Sequence, residues 1–122
     1  MGIDGDSKLT SFMRFTHPVG QATTSVDFEH NDNGWVHACI VYDGTFAKVY
    51  INGAGAYATP ATGDLAISHC PFALGMDKLF GNFTGIIDEV LMCAHAMTAI
   101  EVRAHYEGNR NYLSTRGLIR KI

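Results

Sequence analysis

At 122 residues, with 47% hydrophobic and only 17% charged positions, the chain has the size of one domain and enough apolar content for a core, which excludes a disordered polypeptide. Nine Lys and Arg against twelve Asp and Glu give a net charge of -3, so no broad cationic footprint for nucleic acid or an anionic membrane is encoded. No apolar run approaches the ~18 residues a membrane span requires, and Met1 to Ser7 fits neither a signal peptide nor a myristoylation pattern.

In chain order, period-two patterning and Gly, Pro, Asn and Asp clusters predict short strands. Leu9 to Phe15 alternates loosely, Pro18-Val-Gly20 interrupts it, and Thr23 to Phe28 resumes with β-branched and aromatic residues, which predicts a hairpin. After the turn cluster His30 to Gly34, Trp35 to Tyr42 sets Trp35, His37, Cys39 and Val41 on one face and Val36, Ala38, Ile40 and Tyr42 on the other. Apolar residues on both faces predict a central strand. Asp43-Gly44-Thr45 turns the chain into Ala47 to Ile51, and Asn52-Gly53 is a strong hairpin signal because both positions accept positive φ. Leu65 to Ile67, Ala73 to Gly75 and Gly85 to Met92 are predicted as further short strands. One helix is expected, opened by a capping box at Thr98-Ala-Ile-Glu101 and ended by Gly108. Many short strands at close spacing, with one helix, predict an all-β sandwich or barrel.

Cys39, Cys70 and Cys93 form neither a CxxC pair nor a zinc pattern, so buried thiols are expected, with pairing of any two left open. Arg110, Arg116, Arg120 and Lys121 make the C-terminal stretch locally cationic.

Four pieces resemble the C-terminal half of the concanavalin A-like, laminin G-like (pentraxin-like) jelly rolls. They are Trp35-Val-His37 with Val41-Tyr-Asp-Gly44, Val49-Tyr-Ile-Asn-Gly53, Phe83-Thr-Gly-Ile-Ile-Asp-Glu-Val90, and Ala96-Met-Thr-Ala-Ile-Glu101 with Tyr106. The resemblance implies an antiparallel two-sheet jelly-roll sandwich over residues 9–108, after an N-terminal arm (1–8) and before a basic tail (109–122). Against that family, the opening strands have no counterpart here. The resemblance therefore implies an exposed sheet edge that a homo-oligomer or a partner polypeptide completes, with self-completion by the tail as the weaker option.

The resemblance also nominates Asp88 as a Ca²⁺ ligand, against the competing reading of an aspartate bonded to backbone amides. Glycoside hydrolysis needs two carboxylates at a fixed separation, whereas Asp88 and Glu89 are adjacent and on a strand point to opposite faces. Asp27 and Glu29 share a face and read as solvated. His37 reads as a framework histidine hydrogen-bonded under the sheet. Trp35, Tyr57, Phe72 and Phe80 are the aromatic candidates for a glycan, with Trp35 assigned to the core, and Asn82-Phe-Thr84 is a glycosylation triplet that matters only in a secreted protein. The expected function is a non-enzymatic recognition or assembly module, extracellular or virion-associated, for glycan binding, adhesion or structure. The alternative is an accessory or truncated part of a glycoside-active enzyme whose catalytic strand lies elsewhere.

Overall fold

The structure is a computed structural model that describes residues 2–3, 8–27, 35–66, 73–77 and 81–115. Its strands are β1 (Gly2–Ile3), β2 (Lys8–His17), β3 (Val19–Asp27), β4 (Ala38–Tyr42), β5 (Phe46–Ile51), β6 (Ala54–Pro60), β7 (Asp64–Leu65), β8 (Met76–Asp77) and β9 (Gly81–Asn82), followed by the helix α1 (Ala99–Thr115). All strand pairs are antiparallel. One sheet runs β1-β2-β3 with β7 also on β2, a second runs β4-β5-β6, and β8 pairs with β9. This is the two-sheet sandwich with a C-terminal helix that the sequence predicts.

The first hairpin forms where expected. Pro18 cannot donate to a ladder and sits at the turn, and pairing continues from Thr16↔Val19 to Lys8↔Asp27. Its alternate residues Ser11, Phe15, Ala22 and Thr24 are buried. The Thr24 hydroxyl donates to Thr59 Oγ1 of β6 at 2.7 Å, which satisfies a polar pair inside the sandwich.

The β4–β5 hairpin is apolar on both faces. Ala47 packs with Phe15, Ala22 and Ala61, with Met13 and Tyr42 alongside. Val49, with no exposed surface, is flanked by Val26, Val36, Ala38, Ile40 and Ile51. On the reverse face Val41 and Tyr50 pack against Val102 of α1, with Cys39 and Met97 beside them. The alternation read from Trp35 to Tyr42 thus separates a sheet-facing from a helix-facing side. Each buried aliphatic side chain stabilises this double-sided hairpin by about 1.5 to 3 kcal/mol.

Two turns fix the hairpin. Asp43 Oδ1 accepts from the amides of Thr45 (2.8 Å) and Phe46 (2.7 Å), and its carboxylate pairs with Lys48 at 2.8 Å. The Lys48 bond, followed by the two amides, holds the Asp43 carboxyl down to about 2. At the far end Asn52 and Gly53 adopt φ of 50° and 75°, the positive pair that Asn-Gly tolerates.

Several expectations need correction. Strand pairing begins at Ala38 instead of Trp35, and β5, not β4, is central, because β4 has no second neighbour among the described residues. Residues 1–8 are not simply an arm, since Gly2–Ile3 pairs with β2, which itself starts at Lys8. Gly85 to Met92 forms no strand: Glu89 takes φ 52°, which no strand accommodates, and among the described residues no neighbouring edge pairs with it. The Ala73–Gly75 segment is bent, and pairing starts at Met76. The helix does not stop at Gly108 but continues to Thr115, so the first half of the expected tail is helical. Gly108 is not in the left-handed conformation an ending glycine adopts, and the space about its Cβ position is open.

Candidate functional site

The region that departs most from a closed sandwich is the segment after β9. Phe83, Ile86, Ile87, Val90, Leu91 and Met92 are all exposed, Ile86 by 75% and Met92 by 72%. Leu74 and Met76 of the preceding hairpin are exposed as well. The Phe83 amide donates to the Gly75 carbonyl at 2.8 Å, and the Gly75 Cβ position lies 3.6 Å from Ile87 Cδ1, so the two stretches form one surface. Single exposed apolar residues are ordinary, but a contiguous run is the signature of an interaction surface.

Asp88 lies within this run. It is exposed, and its Oδ1 accepts from the Glu89 amide at 2.8 Å, which is the backbone-bonded arrangement weighed against calcium ligation. Among the described residues no three His, Cys, Asp or Glu side chains gather as a metal-binding group. Two of the other acidic side chains beyond β6 serve local structure: Glu101 Oε2 accepts from the Thr98 amide (3.1 Å) while Thr98 Oγ1 accepts from the Glu101 amide (3.2 Å), and Glu107 pairs with Arg103 at 2.9 Å. The capping box therefore forms as its spacing predicts, reinforced by His95, 3.6 Å from Glu101.

Of the aromatic candidates, Tyr57 on β6 is exposed and Trp35 is half-buried. Phe72, Phe80, Glu29 and Cys70 lie outside the described residues, and of Asp27 only the backbone, at the end of β3, is described. Cys39 and Cys93 are free. Burial, and then the neighbouring Cys93, push the Cys39 thiol up, while Cys93 itself is exposed, contrary to the expectation of a buried thiol.

A second cluster was not foreseen. His37 Nε2 lies 2.9 Å from His105 Nδ1, joining the entry of β4 to the middle of α1. The His37 backbone is held on both sides by Asn52: its amide donates to Asn52 Oδ1 (2.9 Å) and its carbonyl accepts from the Asn52 amide (2.8 Å). The Tyr106 ring stands 5.6 Å from that of His37, and a Cβ on Gly53 would lie 2.7 Å from Tyr106 Cδ1. Glycine at 53 is thus required by both φ and the helix above it. The framework role of His37 was legible in its motif, but its partner is 68 residues away and carries no sequence signal.

Comparison with known proteins places these features in context. The family model for the concanavalin A-like lectin/glucanases superfamily matches residues 1–103. No functionally curated protein matches the chain. A solved structure of an S-layer domain-containing protein from Clostridium thermocellum superposes with a TM-score of 0.56 at 18% identity, covering 71% of this chain and 46% of that one. At that identity the likeness speaks for the fold alone, and this chain spans less than half of the other's length.

Proposed function

Because the chain belongs to the concanavalin A-like lectin/glucanase superfamily, we propose that it is a non-catalytic binding and assembly module whose working surface is the apolar segment 83–92. In the assembled state this segment is covered by a strand of another polypeptide, in the first instance a second copy of the chain. The observation that carries the reading is the exposure of six large apolar side chains in one ten-residue stretch, five of them within Ile86 to Met92. Water contact with such a run is unfavourable by about 25 cal/mol per Å² of apolar surface, which a partner relieves. A second copy can supply the cover: β6 ends its sheet, so its outer edge is unpaired among the described residues and can add a strand to another chain.

Two further points support the reading. The acidic side chains described above are engaged in turn, cap and ion-pair contacts, which suits a scaffold better than an acid and base pair. That the structural neighbour is an S-layer domain-containing protein accords with an extracellular, structural setting for this chain too. Glycan recognition, with exposed Tyr57 as its platform, is the second reading within the same class.

Light scattering across a concentration series provides the test. A mass above the 13.3 kDa of one chain, restored to one chain by the double substitution Ile86→Ser and Leu91→Ser, is expected. A monomer at every concentration, or an oligomer indifferent to both substitutions, overturns the assignment of this surface.

A further inference from the structure

We propose that His37 and His105 form an acid-released latch that holds α1 on the β4–β5 hairpin and lets it go when the pair takes up a proton. The pair lies on the face of the hairpin opposite the first sheet.

The argument turns on which nitrogen carries a proton. At 2.9 Å, His37 Nε2 and His105 Nδ1 share one hydrogen, so one donates and the other must offer a lone pair. His37 Nδ1 is buried and has no hydrogen-bond partner. A proton there would be a buried, unmatched donor, which is costly, so the proton of neutral His37 belongs on Nε2 and is donated to His105 Nδ1. His105 then carries its own proton on Nε2, and Asn109 Nδ2, 3.4 Å from either ring nitrogen, can donate only to Nδ1.

That arrangement has no room for another proton. A proton arriving at His105 Nδ1 faces the Nε2 proton of His37 directly. The bond survives only if His37 moves its proton to Nδ1, into the buried position with no acceptor. Protonating His37 itself fills Nδ1 in the same way. Burial, and then the charge of His105, lower the His37 value from 6.5 to about 4, in keeping with an imidazole whose charged form is resisted.

Among the described residues no nearby charge offsets this. Around the pair stand Tyr106 against the His37 ring, Asn109 beside His105, and Cys39 two residues along the same face of the hairpin. Of the charged groups on α1, Glu101 is engaged at the cap and with His95, Arg103 and Glu107 pair with each other, and Arg110 adds only positive charge. A divalent metal between the two rings would likewise force the His37 proton onto Nδ1, so the same geometry favours the proton-sensitive reading. The latch matters to docking because Val102 is the one fully buried side chain of α1 among the described residues, and it lies three residues before His105.

Amide hydrogen exchange on the whole chain, corrected for intrinsic rates, tests the latch. Protection of residues 99–110 is expected to fall at least tenfold relative to β5 and β6 between pH 7 and pH 4. His105→Gln, whose Oε1 accepts from His37 Nε2 without titrating, is expected to lose clearly less protection than the unmodified chain, since only His37 Nδ1 is left to take a proton. A helix that keeps its protection at pH 4, or a variant that follows the wild-type profile, overturns the latch. Should the variant not fold, imidazole ¹⁵N spectra of the unmodified chain decide: a proton on Nε2 of His37 at pH 7 is required, and one on Nδ1 rules the mechanism out.

Discussion

Residues 8–66 and 81–98 have similar raw material and opposite outcomes. Both carry aliphatic and aromatic residues at close spacing between turn-forming glycines. In the first region β2 to β6 each find an edge to pair with and a facing layer, so Phe15, Ala47 and Val49 are buried. In the second, Phe83 to Met92 find neither among the described residues, and the chain kinks at Glu89, where φ is 52° and the Asp88 carboxylate takes the free amide. The difference teaches that period-two patterning states a capacity to be a strand, and that the capacity is realised only where a second edge supplies the hydrogen bonds that burial would otherwise leave unmade.

The largest test of that contrast is truncation on each side of it. Phe15→Ala, in the closed region, is expected to lower the unfolding free energy by about 3 to 5 kcal/mol by chemical denaturation, since it opens a cavity where Tyr42 packs 5.3 Å away. Acidification should weaken the helix-facing side next. His37 has a folded value of about 4, below its ordinary 6.5. The unfolded chain therefore binds more protons between those values, and stability present above pH 6.5 is lost as the pH falls toward 4. A denaturation midpoint that holds level from pH 7 to pH 4 contradicts this. Thr98→Ala removes the capping oxygen from the Glu101 amide and is expected to cost about 1 kcal/mol, read as a drop in melting temperature. Smallest of all, Ile86→Ser in the open segment should change the stability of the monomer by no more than about 0.5 kcal/mol. A loss comparable to that of Phe15→Ala would show that this segment is packed after all and erase the distinction between the regions.

What could be read in advance, and what could not, follows the range of the interactions. The Pro18 turn, the Asn52-Gly53 hairpin, the two faces of Trp35 to Tyr42 and the Thr98 capping box were legible because each depends on residues within a few positions of one another. The end of the helix was misread at Gly108, since a glycine stops a helix only if the chain beyond it turns away, and here it continues to Thr115. The site was half legible. Asp88 could be singled out by its motif, but its use as a local backbone acceptor depends on the kink at Glu89.

The sequence by itself determined the fold class, because alternation, turn chemistry and capping are local and point to the same answer. Only the tertiary structure decided that β5 rather than β4 is central, that Ile86 to Met92 stays exposed, and that His37 meets His105. Strand order, exposure and the pairing of two rings 68 residues apart are set by which surfaces come together when the chain closes, and no spacing along the chain encodes them.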